Sequence, residues 1–319
     1  MRTIGPVHTD RRPPNVDSVT AKVAKGEIMA AGPSGILVGA DGSPDSEAAI
    51  RWAAHEALLR DEPVRLLHAI TPVVVTWPVA YLEASYIESM ESNGRDILDS
   101  AQKTVQAAAG DKEPPAVETQ IMNAAAPAAL VTASRDAYMT VSGSRGLGVL
   151  GRVFLGSVSS GLLHHGKGPI AIVRTDDAAA VDTSAPVLVG IDGSPASEEA
   201  TELAFDEASR RNVGLIALHA WSDASFPAIG SDWERYEDGG ERILAERLAG
   251  WQERYPDVQV QRRIVSDDPA RRLVEASGDA QLVVVGSRGR GGFSSLVLGS
   301  VAAKVAQAAK APVIVVRPR

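Results

Sequence analysis

Short apolar runs recur along the chain, separated by longer stretches whose apolar residues fall at helical spacing. The first run, Ile36 to Val38, stops at Gly39-Ala40-Asp41-Gly42-Ser43-Pro44. Ser43 suits a helix N-cap and Pro44 the first helical position. Residues 45–60 then place Ala49, Trp52, Ala53, Glu56 and Leu59 on one mostly apolar face. Val64 to Ala69 predicts a second strand, and residues 80–109 a long helical segment. Val117 to Ile121 reads as strand, Pro127 to Arg135 as a short helix, and Tyr138 to Ser142 as a fourth strand. Residues 157–167 follow as helix and Pro169 to Val173 as a fifth strand. Residues 1–33 lack apolar periodicity and read as a flexible tail, while 175–185 have linker composition.

The pattern then begins again. LVGADGSP at 37–44 returns as LVGIDGSP at 188–195. Leu67-His68-Ala69 returns as Leu218-His219-Ala220, and GPIAIVR at 168–174 as APVIVVR at 311–317. Asp41 and Asp192 are 151 residues apart but Gly143 and Gly286 only 143, so the second copy is shorter between its second and fourth strands. A period of this length is a whole domain. Strands alternating with helices predict parallel α/β units. Leu282 to Val285 and Val313 to Val316 are apolar throughout, as strands covered on both faces require. The reading is two tandem doubly wound α/β domains, 34–174 and 186–319. Each has a five-stranded parallel sheet of order 3-2-1-4-5 with helices on both faces.

Composition narrows the chemistry. A net charge of -8 argues against generic binding to nucleic acid or anionic membranes. No cysteine is present, which removes disulfides, thiolate catalysis and Cys-ligated zinc, and suits a cytoplasmic protein. No apolar run approaches a membrane span, and the N-terminus lacks the apolar core of a secretory signal.

The chemistry gathers in two loops. Gly143 to Ser157 reads GSRGLGVLGRVFLGS, and Gly286 to Ser300 reads GSRGRGGFSSLVLGS. Both fit G-x2-G-x9-G-S, each after an apolar strand and before a helix. Glycines permit close backbone approach, and a helix N-terminus offers unpaired N–H groups to an anion. Gly146 and Gly289 are expected either to have positive φ or to touch phosphate. In the order 3-2-1-4-5 the first and fourth strands are neighbours, so Asp41 and Asp192 line the same crevices as the loops. An Asp facing sugar hydroxyls and a glycine loop facing phosphates describe a nucleotide site.

These motifs resemble the universal stress protein family, in its ATP-binding, tandem-domain, actinobacterial form, over roughly residues 34–319. The V-G-x-D-G-S start, L-H-A, G-x2-G-x9-G-S and the closing P-x-x-x-V-R strand carry the resemblance. It implies a Rossmann-like fold and ATP accompanied by Mg2+; no His or carboxylate other than Asp41 and Asp192 is repeated beside the loops, so no catalytic residue is expected. It implies that Asp41 and Asp192 contact adenosine, and that Ala69 and Ala220 offer main-chain contacts to adenine. Gly143, Gly146, Gly156 and Ser157, with Gly286, Gly289, Gly299 and Ser300, would hold phosphates. It further implies packing of the repeats through their final strands, a homodimer through such edge strands, an unidentified regulatory protein partner, and a role in stress response and growth control.

Rival readings are a slow ATP-cleaving enzyme and an interaction scaffold with vestigial pockets. No Gly-Lys-Ser/Thr follows the glycines, so the loop is not a Walker A motif. His164 and His165 are adjacent on a helix and point apart, a poor metal pair. His68 and His219 read as satisfied core histidines. Each loop carries two arginines, so charge does not rank the sites. Ala40 and Ser142 stand where the second copy has Ile191 and Val285, which suggests weaker packing behind the first site. Trp233, Tyr236 and Trp251 are candidates for a partner surface, with the core the alternative for Trp251.

Overall fold

A computed structural model describes residues 34–72, 80–146, 155–175, 182–221, 233–289 and 298–317. The expected tail and most of the linker lie outside these residues, as do the side chains of Trp233 and Tyr236. The first repeat runs β1 (Ile36–Gly39), α1 (Pro44–Arg60), β2 (Val64–Ala69), α2 (Ala80–Ala108) and β3 (Val117–Met122). It continues with α3 (Ala126–Ala133), β4 (Met139–Gly143), α4 (Ser157–His165) and β5 (Gly168–Val173). The second repeat follows as β6 (Val187–Gly190), α5 (Pro195–Arg211), β7 (Leu215–Trp221), α6 (Trp233–Arg254) and β8 (Val260–Ser266). It closes with α7 (Pro269–Ala276), β9 (Leu282–Gly286), α8 (Ser300–Ala308) and β10 (Val313–Arg317). The Ser43 and Ser194 hydroxyls cap α1 and α5 by accepting from the Ser46 and Ser197 N–H groups.

Both repeats show the expected strand order, but they share one sheet. Its order is β3-β2-β1-β4-β5-β10-β9-β6-β7-β8, and Gly32–Arg319 forms one compact unit. Pairing is parallel except at the centre, where β5 and β10 run antiparallel with Ile170 opposite Val315. The apolar final strands thus cover each other inside one chain. They are not free to join two copies, which corrects the expected route to a homodimer. The outer strands are β3 and β8, where Glu118, Gln120, Gln261 and Arg262 are exposed. Charged and polar edges of this kind resist strand addition.

Each face of the sheet carries one core that runs through both repeats. Residues of α1, α2, α5 and α6 pack on one face, and those of α3, α4, α7 and α8 on the other. Trp251 belongs to the first core and stacks with Phe205 at a centroid distance of 6.3 Å. Two pseudo-symmetric devices join the repeats. An arginine just past β5 in one repeat, and the last residue of β10 in the other, each cap a helix of the opposite repeat. Arg174 donates to the carbonyls of Ala306 and Ala309 at the end of α8, and Arg317 to those of Leu163, His164 and Gly166 at the end of α4. Helix C-termini leave such carbonyls unpaired, and cations suit that end of the dipole. The second device lies between α1 and α5. Glu56 and Glu207 have no exposed side-chain surface, and each pairs with both Arg60 and Arg211.

Candidate functional site

The Asp-Gly turns have the same geometry in both repeats. Gly42 and Gly193 have φ of 78°, a left-handed value that a side chain would strain. The turn brings the Asp41 carboxylate back, so that Oδ1 accepts from the Ser43 N–H at 2.9 Å. Asp192 does the same with Ser194 at 2.9 Å. Because β1 pairs with β4 and β6 with β9, the free oxygen of each Asp meets its glycine loop. A Cβ added to Gly146 would lie 2.7 Å from Asp41 Oδ2, and one added to Gly289 would lie 2.5 Å from Asp192 Oδ2. Neither glycine has positive φ. The strain alternative therefore fails, and the adjacent carboxylate is what excludes a side chain.

Gly143 and Gly286 are glycines for another reason. A Cβ on Gly143 would sit 2.7 Å from the Asp45 carbonyl carbon, and one on Gly286 would sit 2.6 Å from that of Ala196. They let the first turns of α1 and α5 lie directly on β4 and β9. Gly156 and Gly299 close the loops, each donating its N–H at 2.8 Å to the carbonyl of Ser144 or Ser287. They are also the N-caps of α4 and α8, and neither helix has a side-chain cap. The first-turn N–H groups therefore have no capping side chain, and Ser157 and Ser300 stand exposed beside them. The loop tips, 147–154 and 290–297, lie outside the described residues.

Ala69 is the last residue of β2, and Ala220 the last but one of β7. Gly39 pairs with Leu67 and Gly190 with Leu218, so the two alanines fall level with Asp41 and Asp192 at the carboxyl edge. His68 and His219 turn inward, their Nδ1 atoms 2.7 Å from the carbonyls of Ala40 and Ile191. They are satisfied structural histidines. Among the described residues no group of three His, Asp or Glu side chains could hold a metal.

The structure also adds residues that the motif reading missed. Asp45, in the first turn of α1, is buried beneath the first loop. Its Oδ2 accepts from Ser144 Oγ at 2.8 Å and from Arg145 N and Nε at 3.2 Å each. Its Oδ1 accepts from the Thr175 hydroxyl. Burial would push the carboxyl up, but the hydrogen bonds from Thr175, Ser144 and Arg145 and the Arg145 charge outweigh it and hold Asp45 below its ordinary value. Asp45 thus stabilises the fold above that ordinary value and loses its contribution as the pH falls through the lowered one. Ser142 is no packing defect. It donates to the Gly143 carbonyl at 3.0 Å, beside Ser159, which donates to the same carbonyl at 2.7 Å. The second repeat has Ala196, Val285 and Ala302 at these three positions. Differences between aligned copies were the available signal for Asp45 and Ser159.

With this geometry in hand, comparison with known proteins places the chain. The model of the universal stress protein family matches residues 34–174 and again 184–317. The chain belongs to the universal stress protein family. A universal stress protein of Mycolicibacterium smegmatis is 54% identical over 293 residues, covering 92% of this chain and all of the relative. One from Mycobacterium tuberculosis is 50% identical over 287 residues, covering 89% of this chain and 96% of its own. The crystal structure of a universal stress protein from Archaeoglobus fulgidus superposes with a TM-score of 0.67 at 22% identity, covering 90% and 99% of the two chains, a likeness of fold. This universal stress protein therefore carries the family's domain twice, each copy with its own Asp turn and glycine loop. No helix among its described residues is long and apolar enough to cross a membrane.

Proposed function

We propose that this universal stress protein binds ATP, one molecule per repeat, and acts as a nucleotide-responsive regulator. The observation that carries this reading is a juxtaposition made twice. A carboxylate at the end of the first strand abuts the second glycine of a loop whose closing helix has no side-chain cap. Asp41 and Asp192 are placed to accept hydrogen bonds from ribose hydroxyls. The main chain at Ala69 and Ala220 lies level with them and would meet the base. The first-turn N–H groups of α4 and α8, with the Ser157 and Ser300 hydroxyls, would hold the phosphates. Mg2+ would be held largely by phosphate oxygens and water, the usual binding mode for that ion. Family membership supports extending this reading to a role in stress response and growth control, with a protein partner that would read the nucleotide state in the cytoplasm.

The same arrangement argues for binding without catalysis. Phosphoryl transfer needs a positioned nucleophile and charge stabilisation at the transferred group. The acids repeated beside both glycine loops are Asp41 and Asp192, and one oxygen of each accepts from the N–H of the serine two residues on. The nucleotide released on denaturing the purified chain should be ATP, at up to one molecule per repeat. Turnover with ATP and Mg2+ should fall far below the roughly 1–10³ s⁻¹ of typical enzymes. Sustained turnover near 1 s⁻¹ that disappears in Asp41→Ala or Asp192→Ala would replace the regulator with an ATPase.

A further inference from the structure

The two loops share a motif but differ in what lies beneath them. In the first repeat Asp45 binds the hydroxyl of Ser144, the backbone of Arg145 and the Arg145 guanidinium. The position of Asp45 in the second repeat is Ala196, and that of Thr175 is Pro318. The consequence is visible at the equivalent serine. Ser287 is fully buried, and its hydroxyl has no hydrogen-bond partner among the described residues. Arg288, equivalent to Arg145, forms no ion pair among the described residues, and its charge acts on Arg317. A buried hydroxyl without a partner is costly unless something fills its place.

We propose that the two sites bind unequally, with the second repeat the stronger site for a polyphosphate, and that Asp45 sets the difference. The proposal rests on the ATP reading above. In the first repeat a buried negative charge already occupies the loop arginine and lies under the place where phosphates would sit. It neutralises the cation and repels the anion. In the second repeat the loop arginine and the Ser287 hydroxyl are both unspent. Sequence counting gave each loop two arginines and so no ranking, and the acid beneath the first loop breaks that tie. Repulsion by one buried charge grows with the charge of the ligand, so the difference between sites should be largest for ATP and vanish for adenosine.

The test is calorimetric titration of the full chain, freed of co-purified nucleotide, with ATP, AMP and adenosine in turn. Wild type should bind ATP in two steps separated roughly tenfold in Kd, AMP with a smaller separation, and adenosine with none. Asp45→Asn keeps the shape of the side chain and removes its charge. It should strengthen the weaker ATP step about tenfold and leave adenosine unchanged. Ala196→Asp should weaken the stronger ATP step by a similar factor; if that variant does not fold, Asp45→Asn decides alone. Two equal ATP steps in wild type would overturn the proposal and leave the ATP reading standing. So would an Asp45→Asn chain whose ATP steps are unmoved, or whose adenosine affinity shifts as much as its ATP affinity. Absence of any ATP binding by wild type would remove the ATP reading itself, and this proposal with it.

Discussion

Glu207→Ala should cost about 3–5 kcal/mol of folding stability, the range for breaking a buried ion pair by removing one partner. Glu207 lies at the junction of α1 and α5 with no side-chain exposure. It accepts from Arg60 at 2.5 Å and also pairs with Arg211. Arg60 is 4% exposed and Arg211 10%, so the substitution strands two guanidiniums away from water. Arg60 keeps Glu56, Asp206 at 2.7 Å and the Tyr138 hydroxyl at 2.7 Å, which holds the loss within that range. Glu56→Ala should cost a similar amount through the mirrored contacts, and the double substitution less than the sum, because all four side chains form one network. Denaturant unfolding of the full chain checks this. A cost below about 1 kcal/mol would show that the quartet behaves as a surface ion pair.

The same quartet has a pH signature. Burial works against Glu56, but the Arg211 and Arg60 charges outweigh it and hold Glu56 down. Burial and the Glu56 charge push Glu207 up to about 7, so the two carboxyls titrate as a pair. Glu56 contributes stability above its ordinary value and loses it as the pH falls. Glu207 contributes below its ordinary value and loses it as the pH rises through about 7. Stability should therefore decline as the pH rises from the ordinary glutamate value of 4.5 through about 7, and Glu207→Gln should flatten that decline.

Much of this architecture was legible in the residues because both signals occur twice. Apolar runs such as Leu282 to Val285 announced buried parallel strands, and repetition of the Asp turn and glycine loop announced two sites. The order 3-2-1-4-5 of a doubly wound sheet put β1 beside β4, and the structure has that order. Three things were hidden. Nothing in an apolar strand says whether its free edge meets another molecule or its own repeat, so the pairing of β5 with β10 came only from the structure. Glu56 stood on what reads as an apolar helical face, and Glu207, which shares its two arginines, lies 151 residues away, so no local pattern links them. Glycines look alike in a motif, yet Gly143 makes room for a helix while Gly146 makes room for a carboxylate.

That last distinction selects the decisive substitution. Gly143→Ala or Gly286→Ala would drive a Cβ into backbone and damage the fold, so loss of nucleotide would carry no information. Gly146→Ala and Gly289→Ala instead press on the tip of an aspartate side chain at the mouth of the site. Only the carboxylate and the loop must move, and both lie where the nucleotide would bind. Each kcal/mol of that displacement falling on the bound arrangement lowers affinity about fivefold, and a direct clash with phosphate lowers it further. Gly146→Ala should empty mainly the first site and Gly289→Ala mainly the second. The measurement is ATP released per chain on denaturation, for wild type, both single variants and the double variant, with circular dichroism confirming the fold. The double variant should be folded and free of ATP, whereas a folded double variant that retains the wild-type amount would contradict the assignment of the glycine loops as the phosphate site.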